Sequence, residues 1–120
     1  MCGITGFCNF YMDFTEHREY WLDILIRMRT SIAHRGMDDS GEYIRNHAGL
    51  GHSRLSIRDL CFGRQPIIRT IDGYDYAIVY NGEIYNTDEL TPALIKAGFV
   101  FETTTDTEVI LYAYIHGGVD

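Results

Sequence analysis

The chain opens on an apolar stretch, Gly3 to Phe10 (GITGFCNF), which reads as a short strand rich in β-forming side chains. A helical period then takes over. Trp21, Ile24, Leu25, Met28 and Ile32 recur at i, i+3, i+4, i+7 and i+11, with Glu19, Asp23, Arg27 and Arg29 off that stripe. Thr15 is the expected N-cap. His34 to Gly41 breaks the pattern with two glycines and two aspartates, which is turn chemistry. Glu42 to Ile57 predicts two strands, with Gly49 and Gly51 marking a bend or a close backbone approach. Gln65 to Tyr80 predicts a hairpin, PIIRTI then YAIVY, around Asp72-Gly73. Because YAIVY is apolar throughout, that strand is expected to be buried on both faces. A helix over about Thr87 to Ala97 closes at Gly98. Phe99-Val100-Phe101 predicts a short strand. Thr105-Asp106-Thr107-Glu108 has the form of a capping box, opening a mostly apolar helix that stops at Gly117-Gly118.

Strands with interspersed helices predict an α+β class. The sheet expected, of about five or six short strands, looks unfinished where the sequence stops directly after a helix. Length and composition fit that picture: 120 residues with 46% hydrophobic and 22% charged side chains make one ordinary globular unit or part of a larger one. Repeats, low-complexity tracts and linker-like runs are absent from the sequence.

Charge narrows the function. Ten Lys plus Arg against 17 Asp plus Glu give −7, and the arginines are scattered without a basic patch, so nucleic-acid binding is not expected. The longest apolar run, Val109 to Ile115, is far short of the ~20 residues that span a bilayer. Met1-Cys2-Gly3-Ile4 has neither the basic nor the apolar region of a secretory signal, which predicts a cytoplasmic protein with reduced thiols. Cysteines at 2, 8 and 61 form no CxxC pair, and no metal site is expected. Cys8 and Cys61 read as small core hydrophobes.

Cys2 is different because of its address. Removal of Met1 would put a thiol and a free α-amine on one residue. With reference pKa values of ~8.5 and ~7.7–8.0, the amine can act as base for the thiol. Against this stands a cysteine that merely follows methionine. Asn81-Gly82, after the YAIVY strand, offers two amide donors where a sheet meets a cleft, as an oxyanion hole requires, or is a plain turn. Arg54, on a strand with apolar neighbours, needs an anion, from the protein or from a ligand. Asp106, opening a helix, either complements the helix dipole or binds an ammonium. His47 and His52, five apart on strands, point to opposite faces and make an unsuitable metal pair.

Six ordered blocks then carry a resemblance: Met-Cys-Gly-Ile; His34-Arg35-Gly36 with Asp38-Asp39-Ser40-Gly41; Gly51-His52 with Arg54-Leu55-Ser56-Ile57; Gln65-Pro66; Asn81-Gly82-Glu83-Ile84-Tyr85-Asn86; and Asp106-Thr107-Glu108. They resemble the class II glutamine amidotransferase domain, an N-terminal-nucleophile hydrolase, and among its members most resemble the glutaminase domains of glutamine-hydrolysing asparagine synthetases. The resemblance implies a four-layer αββα sandwich, here truncated, with residues 1–120 as the N-terminal part of the glutaminase domain. It implies Cys2 as nucleophile on L-glutamine, Asn81 and Gly82 as oxyanion donors, and Arg54 with Leu55, Ser56, Ile57 and Arg58 around the substrate carboxylate. Glu83 and Asp106 would hold the substrate ammonium. His34 and Arg35 would hold their loop, and Gln65-Pro66 would pack near the site. Tyr74, Tyr76 and Tyr80 are expected in the core.

The same resemblance implies no cofactor in these residues, with ATP and Mg belonging to a synthetase domain that is absent here. Met37 replaces a usual proline, which loosens the loop but removes no chemical group, whereas Ser53 replaces a usual basic residue, so no extra anion contact is expected there. Two other readings compete: a truncated module that folds by self-association through unpaired sheet edges, as a homodimer without turnover, and the glutaminase domain of another class II amidotransferase.

Overall fold

The computed structural model describes residues 2–55 and 63–119. β1 (Gly3–Cys8) ends before the expected Phe10, because the Asn9 side chain accepts the Tyr11 amide at 2.9 Å and turns the chain. Its odd positions face inward and its even positions outward. Cys8 is therefore exposed rather than core, while Phe7 next to it packs into the interior. Cys61 lies outside the described residues.

α1 (Arg18–Ser31) buries Leu25 completely and half-buries Trp21, Ile24 and Met28, so the 3.6-residue stripe faces the sheet. Arg29 departs from the expectation: it is half-buried and ion-paired to Glu42 on the neighbouring strand. Thr15 does not cap the helix. Its hydroxyl and amide both bond to the Asp13 carboxylate, two residues away, and His17 takes the N-cap position at φ 62° without a side-chain bond. Local bonding of this kind competes with capping.

A single 3₁₀ turn, Ala33–Arg35, leads to β2 (Asp39–Arg45) and β3 (Ala48–Arg54). The chain reverses at Asn46-His47, with Asn46 at φ 45°, not at the glycines. Gly49 and Gly51 lie inside β3, where Phe7 and Thr5 cross closely above them. The three strands form an antiparallel sheet in the order β1-β3-β2, with Gly3 opposite Ser53 and Asp39 opposite Arg54. α1 covers one face. Phe7, Phe14 and Trp21 meet there at centroid distances of 4.7–5.7 Å, around Leu25 and Ile44.

β4 (Ile67–Ile71) and β5 (Tyr74–Ile78) form the expected hairpin, and Asp72 and Gly73 both take positive φ as a tight two-residue turn demands. β5 is not buried on both faces. Its residues from Asp75 to Ile78 are half-buried, since among the described residues its sheet has two strands, and Tyr74 is 70% exposed rather than core. Tyr76 and Tyr80 are half-buried. An Arg45–Asp75 ion pair joins β2 to β5.

α2 (Thr87–Lys96) ends where expected, with Gly98 at φ 102° donating to the Ile95 carbonyl. Phe99 to Phe101 is not a strand. Both rings instead pack on Tyr112, and the Val100 carbonyl accepts the Tyr112 hydroxyl at 2.7 Å. That segment docks on α3 (Asp106–Gly117) around Leu94 and Val109.

The expected capping box is displaced. Glu108 reaches past Thr105 to accept the amides of Glu102 and Thr103 at 2.9 and 2.7 Å. Thr105 has N-cap geometry but makes no capping bond, its hydroxyl bonding to Thr103 instead. The described residues thus form two small antiparallel sheets and three helices, an α+β fold.

Candidate active site

Strand register gathers the site. β1 runs antiparallel to β3, so the residue before β1, Cys2, sits at the end of β3 beside Arg54. In the second sheet Ile67 pairs with Ile78, so Gln65, before β4, lies beside Tyr80 and Asn81, after β5. Strand ends from both sheets and the first turn of α3 enclose a cavity of about 190 Å³. Cys2, Arg54, Gln65, Tyr80, Asn81, Gly82 and Asp106 are among the residues that line it. This is below the range of roughly 300–1,000 Å³ typical of drug-sized ligands, as suits a small amino acid.

Each side chain is held by a neighbour. The half-buried Cys2 thiol lies 4.0 Å from the Leu55 carbonyl, and Arg35 Nε donates to the Cys2 carbonyl at 3.2 Å. Arg35, expected to hold its own loop, therefore also anchors the backbone of Cys2. Arg54 is half-buried, and its carbonyl accepts the Asp38 amide at 3.0 Å. Asp106 Oδ2 accepts the Ile84 amide at 3.0 Å, closing the Asn81–Ile84 turn onto α3. Gly82 packs closely under Tyr80: a Cβ there would lie 2.5 Å from the Tyr80 hydroxyl, so that side chain would have to shift.

His52, on β3, is 1% exposed and hydrogen-bonded to the Tyr80 backbone. Burial pushes its pKa below the usual histidine range, and Nε2 has no partner among the described residues.

Of the residues predicted from sequence, the structure brings together Cys2, Arg54, Asn81, Gly82 and Asp106. Glu83 is not among them. It is exposed and lines a larger adjoining cleft of about 1,130 Å³, which shares Asn81, Gly82 and Asp106 with the cavity. Leu55 is 41% exposed and contributes its carbonyl near Cys2. Ser56, Ile57 and Arg58 lie outside the described residues. Tyr80, Thr105 and Thr107 also line the cavity and were not anticipated. Their signals in the sequence were adjacency to Asn81 and Asp106 and, for the two threonines, a place in the Thr105–Glu108 motif.

The family profile described as glutamine amidotransferase domain matches residues 1–120. The chain belongs to that family. It is 42% identical over 115 residues to asparagine synthetase (glutamine-hydrolyzing) 3 of Bacillus subtilis (strain 168), covering 96% of this chain and 18% of that protein. Asparagine synthetase B (glutamine-hydrolyzing) of Escherichia coli (strain K12) is 39% identical over 118 residues, covering 98% of this chain and 20% of that protein. Asparagine synthetase (glutamine-hydrolyzing) 1 of Arabidopsis thaliana is 36% identical over 120 residues, covering 100% and 19%.

The chain spans about a fifth of the length of these curated relatives. Among the described residues no helix is long and apolar enough to cross a membrane, and no group of three or more His, Cys, Asp or Glu side chains is arranged to hold a metal ion.

Proposed function

We propose that this chain hydrolyses L-glutamine to glutamate and ammonia through a cysteinyl thioester, and that the ammonia serves ATP-dependent asparagine synthesis in a longer protein. The observation that carries this reading is the meeting of one thiol, one guanidinium, the Asn81-Gly82 amides and one carboxylate on a cavity of about 190 Å³. A cation and an anion flanking a nucleophile suit the carboxylate and ammonium of a free amino acid.

On this reading Met1 is removed, and the α-amine of Cys2 takes the thiol proton as Sγ bonds the side-chain carbon of glutamine. The carbonyl oxygen becomes an oxyanion held by the Asn81 side-chain amide and the Gly82 N–H. The C–N bond breaks, the amine passes its proton to the departing ammonia, and water cleaves the thioester to glutamate and free thiol. Arg54 grips the α-carboxylate, a role the reading extends to Leu55, Ser56, Ile57 and Arg58. Asp106 holds the α-ammonium from within the cavity, with Glu83 at its rim.

α1 packed on the three-stranded sheet and α3 packed against β5 support the αββα sandwich of N-terminal-nucleophile hydrolases. ATP and Mg²⁺ are assigned to a synthetase domain beyond these residues. Strand edges left unpaired among the described residues favour self-association, and L-glutamine is the small-molecule partner.

Intact mass spectrometry paired with a glutaminase assay tests the reading. The expected result is a mass lacking one methionine and glutamate release that vanishes in Cys2→Ala while the circular dichroism spectrum is unchanged. A processed, folded chain whose glutamate release survives Cys2→Ala overturns it, and a folded dimer without turnover favours the non-catalytic module.

A further inference from the structure

Tyr80, the residue that precedes Asn81, is held from two sides. Its amide donates to Gln65 Oε1 at 2.6 Å, and buried His52 is hydrogen-bonded to its backbone. The other end of the Gln65 amide, Nε2, donates to Thr107 Oγ1 at 3.3 Å. One side chain thus bridges the segment that carries Asn81-Gly82 and the first turn of the helix that carries Asp106. Gln65 is itself seated firmly. A Cβ on Gly41 of β2 would lie 2.2 Å from the Gln65 carbonyl oxygen, so the absence of a side chain there lets the Gln65 backbone rest directly on the first sheet.

We propose that Gln65 is a positioning residue that sets the Asn81-Gly82 pair at a fixed separation from Asp106, with His52 bonded to the same backbone. The inference deepens the proposed glutaminase site and rests on it for the effect on rate; the bridge itself is a statement about geometry. Its physical basis is that an oxyanion donor works only when preorganised. A misplacement of about 1 Å at such a site costs roughly 10²-fold in rate. A glutamine suits the task because its carbonyl and its NH₂ point opposite ways, accepting from one segment while donating to another.

Gln65→Met keeps the length of the side chain and removes both hydrogen bonds. Hydrogen exchange is expected to quicken roughly tenfold in peptides covering residues 79–86, with β1 and α1 unchanged. Glutaminase kcat is expected to fall about 10²-fold with KM for glutamine within about twofold. Unchanged exchange over 79–86 overturns the proposal whatever happens to turnover. Faster exchange spread evenly over the chain also overturns it, since Gln65 would then be a general stability element. Local loosening in a protein whose wild type releases no glutamate upholds the bridge and sinks the glutaminase reading instead. If Gln65→Met does not fold, Gln65→Glu decides, because it retains an acceptor for the Tyr80 amide: wild-type protection over 79–86 supports the proposal and lost protection overturns it.

Discussion

Arg69 and Glu108 are joined by an ion pair, Nη2 to Oε1 at 2.9 Å, with the Glu108 side chain wholly buried. The pair ties β4 to the first turn of α3, two residues from Asp106, so it holds one wall of the cavity as well as the second core. Burial by itself would raise the Glu108 pKa. Hydrogen bonds from Glu102, Thr103 and Arg69 outweigh it and hold the carboxyl below its ordinary range.

Glu108→Ala leaves Arg69 without that buried partner and strands the Glu102 and Thr103 amides. Arg69 keeps Glu102 as an ion-pair partner at 3.3 Å, so the expected cost is about 1–3 kcal/mol for each buried group left unsatisfied. Urea denaturation reads it as a lower midpoint at similar slope. A loss within error of zero contradicts the assignment.

His52 makes stability depend on mild acidity. Its folded pKa lies below the unfolded reference of ~6.5, because burial disfavours the imidazolium. Above that reference both states are neutral and the contribution is complete. As pH falls below ~6.5 the unfolded chain takes up a proton that the folded chain refuses, so stability is lost until the lowered folded value is passed. Denaturation midpoints measured at about pH 7.5 and about pH 5.5 should differ less in His52→Gln than in the wild type.

Arg54→Lys keeps the charge but loses the planar fork that pairs with a carboxylate. The KM for glutamine is expected to rise about 10–100-fold, the scale of a charge-assisted hydrogen bond, with a smaller change in kcat. Steady-state kinetics over a wide range of glutamine concentration checks this. An unchanged KM would remove Arg54 from the substrate site.

Asp106 and Glu83 separate two acids that the sequence left equivalent. Asp106 lines the cavity and fastens the Ile84 amide, while Glu83 stands exposed in the outer cleft. Asp106→Asn should therefore raise KM by about tenfold or more, and Glu83→Gln by no more than about threefold. The reverse order would place the substrate ammonium in the outer cleft.

Much of this was readable along the chain. The stripe on α1, the Asp72-Gly73 turn and the Gly98 stop are local matters of period and backbone conformation, and each formed as the residues dictate. Errors fell where another partner, near in sequence or far, competes for a local group. Thr15 was claimed by Asp13, Phe99 and Phe101 were drawn onto Tyr112, and Glu108 reached beyond its helix to the amides of Glu102 and Thr103.

What the sequence determined by itself was the set of chemical groups and their order: a cysteine behind the first methionine, an arginine closing a strand, Asn-Gly after another, an aspartate opening a helix. Only the tertiary structure decided that strand ends from two sheets meet there, that Asp106 faces the cavity and Glu83 does not, and that Gln65 spans the gap between them. The reason is that local propensity acts over a few residues, whereas Gln65 and Thr107 are brought together across 42 positions by strand register and the packing of α3.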